Sequence, residues 1–133
     1  MHILSFDFGT KKIGVAVGQT ITKTSSPLKI IYNKSNKTDW DEIKLTIDEW
    51  KPNIILVGNP LNMDGSEGKI FRNVANFIKK LNKITKSECI LIDERLTTFE
   101  AREKMKDLKK NDNLDDHAAA ILIENWFTNY DDS

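Results

Sequence analysis

Two short apolar runs, Leu4-Ser5-Phe6-Asp7-Phe8 and Ile13-Gly14-Val15-Ala16-Val17, bracket the tetrapeptide Gly9-Thr10-Lys11-Lys12. Apolar and β-branched residues on both sides of a short polar, glycine-containing turn predict a β-hairpin near the N-terminus. One carboxylate, Asp7, falls near the end of the first run with apolar neighbours on both sides. An ionised group in such a setting is costly to desolvate unless it is paired or binds a cation. Gly9, just beyond it, lets backbone or ligand approach where a Cβ would intrude. The plainer role for Asp7 is to cap the turn, since aspartate is favoured there.

The 133 residues suffice for one domain, 1–133, with a real core. Lys plus Arg equals Asp plus Glu at 20 each, which is not the footprint of a strong nonspecific nucleic-acid binder. A local basic patch stays compatible with that balance. The one cysteine, Cys89, lies in an apolar run and reads as an inert buried thiol. No disulfide can form within the chain, which fits a reducing compartment. No apolar run approaches membrane-spanning length and no signal peptide precedes the first strand, so the expected location is the cytoplasm.

Downstream, Ser25 to Tyr32 reads as a third, edge strand with Pro27 near its start. Thr38 with Asp41 three residues on is an N-cap signature, and Trp40, Ile43, Ile47 and Trp50 follow at helical spacing until Pro52. The tryptophans are read as core packing. Asn53 to Gly58 is a continuous apolar run, expected of a strand covered on both faces. After a loop rich in turn residues, Asp64 and Glu67 have capping-box spacing, and Ile70, Val74, Phe77, Ile78 and Leu81 mark one helix face. Glu88 to Ile92 is a second buried strand, leading into Asp93-Glu94-Arg95. Thr97 with Glu100 opens another helix that carries Ala101, Met105 and Leu108 inward. Its Lys104, Lys106, Lys109 and Lys110 read either as a solvated, dipole-complementing helix end or as a phosphate contact surface. A last helix runs from about Asn113 to Phe127, ahead of an acidic tail. The order β-β-β-α-β-α-β-α-α implies an α/β fold, a mixed five-stranded sheet with helices on both faces.

In an open α/β sheet the site belongs at the C-terminal ends of the parallel strands. Asp7, Asn59-Pro60 and Asp93-Glu94 all fall at such ends. In the last helix Asp115, Ala118, Ala119, Leu122 and Trp126 share a face, which brings an aspartate to the sheet. Asp115 and Asp116 also complement the helix dipole, a sufficient reason for acids in a first turn. Three elements thus deliver a carboxylate each to one end of one sheet: Asp7, Asp93 or Glu94, and Asp115. Clustered carboxylates repel unless a cation neutralises them, and hard oxygen donors suit Mg²⁺ or Mn²⁺, as one ion or two. Such a site supports in-line displacement at phosphorus without a covalent nucleophile. His2 and His117 do not make a zinc motif.

Four segments carry a family resemblance. Asp7-Phe8-Gly9-Thr10-Lys11-Lys12-Ile13-Gly14-Val15-Ala16-Val17 resembles the opening motif of the YqgF/RuvX family. Val57 to Gly68, Asp93-Glu94-Arg95-Leu96-Thr97-Thr98 and Asp115 to Leu122 match further motifs in the same order. The resemblance implies an RNase H-like, resolvase-like fold. It implies a metal-dependent nuclease that trims the 5′ end of the small-subunit ribosomal RNA precursor, or one that cuts DNA at Holliday junctions. By position it implies Asp7, Asp115 and Glu94 as catalytic metal ligands, with Asp93 the alternative to Glu94. Related resolvases carry an acid at the end of the fourth strand, where this chain has Gly58-Asn59-Pro60, so the third ligand falls to the fifth. Lys11, Lys12, Asn62, Lys69, Arg72, Arg95 and Thr97 are the candidate contacts to substrate. The expected partner is nucleic acid, structured RNA or a DNA junction, with the protein a monomer or homodimer and no membrane involved. Asp7-Phe8-Gly9-Thr10 also resembles the phosphate hairpin of actin-like ATPases, but those enclose nucleotide between two such domains. A non-catalytic binding or assembly protein is the remaining alternative.

Overall fold

The computed structural model describes residues 1–9, 11–35, 37–59, 68–93 and 115–130; the side chains at 59, 68–71, 93, 115–117, 129 and 130 lie outside that description. Five strands and three helices follow in the order β1 (His2–Asp7), β2 (Lys12–Gln19), β3 (Thr24–Tyr32), α1 (Trp40–Trp50), β4 (Ile54–Asn59), α2 (Gly68–Ile84), β5 (Glu88–Asp93) and α3 (Asp115–Tyr130). The helix expected after Thr97, with its lysine cluster, lies outside the described residues.

The strands form one sheet in the order β3-β2-β1-β4-β5. β1 pairs antiparallel with β2 and parallel with β4, β2 pairs antiparallel with β3, and β4 pairs parallel with β5. This is the expected mixed sheet. The tight β1–β2 connection explains the antiparallel half, and helical crossovers before β4 and β5 explain the parallel half.

Strand alternation divides the core in two. Leu4, Phe6 and Phe8 join Ile13, Val15, Ile55 and Val57 on the face covered by α1 and α2. Phe77 of α2 is the centre of that layer, its ring centroid 5.8 Å from Phe6, 5.2 Å from Phe8 and 5.1 Å from Trp40. Ile3, Ala16, Ile54, Leu56 and Ile92 face the other way, against Ala119, Leu122, Ile123 and Phe127 of α3. Trp40 and Trp50 are packed against the first cluster, as their spacing implied.

Three local expectations need correction. The cap of α1 is Asp39, whose carboxylate accepts from the Glu42 N–H at 3.2 Å; Thr38 lies one residue too early. Asp39 wins because its side chain reaches the third residue on, the geometry an N-cap requires. β5, expected as a buried strand, lies at the edge of the sheet, and its Leu91 is 41% exposed. The short apolar run from Cys89 to Ile92 cannot report which flank lacks a neighbouring strand. α3 is buried well beyond one stripe, with every residue from Ala118 to Ile123 inside. Cys89 is half-buried, and that burial raises its thiol pKa above the ordinary value.

Candidate active site

Asp7 is the last residue of β1 and is 6% exposed, with Oδ1 sealed from solvent. In register beside it stand Gly14 on β2 and Gly58 on β4. Residues paired across strands project to the same face, so both lateral neighbours of Asp7 lack a side chain. Within its own row of the sheet the carboxylate therefore has no neighbouring side chain on β2 or β4. These two glycines were not singled out from the sequence. An isolated glycine within a strand pattern is the signal that could have found them, since it marks close approach by backbone or ligand.

The face that Asp7 shares follows from its neighbours. Ile3 lies in the cluster under α3, and the buried Ser5 Oγ donates to the Ala119 carbonyl at 2.5 Å. Asp7, two residues on, alternates to that same side. The helix and strand run in matched steps. A Cβ placed on Gly18, the register partner of Ile3, would come within 2.7 Å of Ile123 Cγ2. Ile123 is thus level with Ile3, and Ala119 with Ser5. Four helical residues rise about 6 Å and two strand residues about 6.7 Å, so one further step brings the backbone at Asp115 level with Asp7. Asp115 is the first residue of α3.

Asp93 ends β5, in register with Asn59 of β4, one row beyond Asp7 and two strands across. Glu94, Asn62, Arg95 and Thr97 lie outside the described residues. Among the described residues no group of three or more His, Cys, Asp or Glu side chains converges, and Asp7 is the member of the expected set whose side chain is described. Lys69 belongs to the first turn of α2, and Arg72 is exposed on the same helix.

The hairpin after Asp7 is tightly closed. A Cβ on Gly9 would overlap the Lys12 carbonyl oxygen, so glycine is required there by close approach. The Asn33 N–H donates to the Lys11 carbonyl at 2.9 Å, and its amide reaches the Gly9 carbonyl at 3.5 Å. Lys11 is exposed and Lys12 half-buried on this fixed turn. At the opposite end of the sheet an open hollow of about 540 Å³ lies between Lys51, Asn53, Lys86 and Ser87, away from Asp7. No helix among the described residues is long and apolar enough to cross a membrane.

Comparison with known proteins agrees with this architecture. Thermus thermophilus RuvC bound to a Holliday junction substrate superposes with a TM-score of 0.60 at 10% identity, over 96% of this chain and 94% of that one. The Holliday junction resolvase of fowlpox virus gives 0.51 at 17% identity, over 96% and 97%. At those identities the likeness is one of fold, the RNase H-like fold expected above. Sequence relatives are nearer. A protein of Buchnera aphidicola subsp. Baizongia pistaciae named "Putative pre-16S rRNA nuclease" is 48% identical over 133 residues, 96% of each chain. A relative of the same name from Haemophilus ducreyi is 43% identical, again over 96% of each. A family model described as RuvX, Holliday junction resolvase, matches residues 1–129, so nearly the whole chain, from the strand that carries Asp7 to the helix that begins at Asp115, belongs to the RuvX family.

Proposed function

We propose that this protein is a divalent-metal-dependent nuclease that cleaves phosphodiester bonds in RNA, with the 5′ end of the 16S rRNA precursor as its substrate. The observation that carries the reading is the buried carboxylate of Asp7, flanked by Gly14 and Gly58 at the C-terminal end of the central strand. A carboxylate is kept in such a place at a desolvation cost, and glycine on both neighbouring strands keeps their side chains from crowding it. Relatives at 40–48% identity that are named as nucleases of this RNA support the choice of substrate.

The donor set fits a hard cation, since every candidate ligand offers carboxylate oxygen. Asp7 and Asp115, with Glu94 as the third member, would hold Mg²⁺ or Mn²⁺. Glu94 is favoured over Asp93 for its longer reach. A bound ion would polarise a phosphate oxygen and lower the pKa of an attacking water. The protein's own part is to fix the carboxylates on rigid elements and to orient the scissile phosphate. Lys11 and Lys12 on the closed hairpin and Arg72 on α2 are suited to contact flanking phosphates.

The test is Asp7→Asn, nearly isosteric and without the charge. It should abolish Mn²⁺- and Mg²⁺-dependent cleavage of a precursor RNA fragment while leaving Tm unchanged or raised. Full activity in the variant would end the proposal. The resolvase description of the family favours a second reading, cleavage of DNA four-way junctions. A synthetic junction assayed beside the RNA separates them: symmetric nicks in the junction with the RNA left intact would favour the second.

A further inference from the structure

We infer that Tyr32, at the open end of edge strand β3, is a stacking platform for an unpaired base of the single-stranded nucleic acid flanking the phosphate held at Asp7. This rests on the nuclease reading above and extends it to the form of the substrate.

Tyr32 pairs in register with Lys12 of β2, one row beyond Ile13 and Ile31. Ile13 and Ile31 both point into the core under α1 and α2, so Lys12 and Tyr32 alternate to the opposite face. That is the face of Asp7. From β1 to β3 is two strand spacings, and from the Asp7–Gly14 row to the Lys12–Tyr32 row is one two-residue step. Together these separate the backbones of Asp7 and Tyr32 by about 12 Å, within reach of a base close to the scissile phosphate.

Two further observations suit this use. α3 begins level with Asp7, so the Lys12–Tyr32 row projects past the start of the helix, and Tyr32 keeps 61% of its surface exposed. The backbone that carries it is nonetheless tied down. The next residue, Asn33, is bonded to the carbonyls of Lys11 and Gly9, which ties the end of β3 to the hairpin that follows Asp7. An exposed ring on a fixed strand, with Lys11 and Lys12 beside it and a carboxylate site on the same face, combines the elements that bind single strands. Aromatic faces take up bases whatever their identity, and cations follow the backbone. A duplex keeps its bases stacked on one another and cannot use the ring.

The experiment measures binding in the Asp7→Asn background, where no strand is cut, by anisotropy of a labelled single-stranded RNA oligomer. Tyr32→Ala should weaken binding roughly five- to a hundredfold, and Tyr32→Phe, which keeps the ring, should stay within about twofold of the parent. The dependence of affinity on salt should be unchanged in Tyr32→Ala but shallower in Lys12→Ala. A blunt RNA duplex should bind all the tyrosine variants alike. Undiminished single-strand binding by Tyr32→Ala overturns the inference, as does an equal loss in Tyr32→Phe, which would assign the effect to the hydroxyl. Loss of the nuclease reading would show separately, as absence of metal-dependent cleavage by the parent protein.

Discussion

A single methyl group is enough to probe the glycine flanks of Asp7. Gly14→Ala and Gly58→Ala each add a Cβ on its face, within the 4.5–5.5 Å range typical of paired strand residues. Under the proposed function each should slow single-turnover cleavage about ten- to a hundredfold, by displacing ligand or phosphate. Thermal melts should change little, because alanine is no worse than glycine in a strand. Cys89 offers a different residue-scale readout. Burial raises its thiol above the ordinary 9.0, so the neutral form is favoured in the folded chain. The resulting stabilisation is fully present below the unfolded thiol's pKa and is lost as pH rises through the folded one. Alkylation by iodoacetamide near pH 8 should accordingly be slower in the native protein than in urea.

At the scale of elements, the contact between α3 and the sheet fixes how the two proposed acids lie. Gly18→Ala drives a Cβ to 2.7 Å from Ile123 Cγ2 and 3.1 Å from the Thr24 carbonyl. It should cost about 1–3 kcal/mol in urea unfolding, as overpacking does. Ser5→Ala removes the hydrogen bond to Ala119 and should cost about 1 kcal/mol by the same measurement. The elements themselves were largely legible beforehand. Alternation in β1 and β2, the 3.6-residue spacing of Val74, Phe77, Ile78 and Leu81, and the order of strands and helices all follow from local pattern. What was hidden depends on partners remote in sequence. Leu91 reads as core because nothing local says that β5 is last in the sheet. α3 reads as a one-sided stripe, although Ala120, Ile121 and Ile123 are buried too. In the site, Asp7 was legible as a carboxylate among apolar residues. Its glycine flanks were not, because register is set only when the strands pair.

On the scale of the whole molecule, two cores share one sheet, and β1 is the strand that both depend on. Phe77 meets Phe6, Phe8 and Trp40 from one side, so Phe77→Ala should cost about 3–5 kcal/mol, read as a lowered urea midpoint. The near-zero net charge leaves no general electrostatic attraction to nucleic acid, so recognition depends on where the lysines stand. β1 lies third of five strands, with neighbours bonded along both edges. On the proposed function, a reaction centre at Asp7 is mounted on the keel of the sheet and cannot fray by itself. Exchange of the β1 amides with deuterium should therefore be as slow as complete unfolding allows, and heat should extinguish catalysis only as the last cooperative unit gives way.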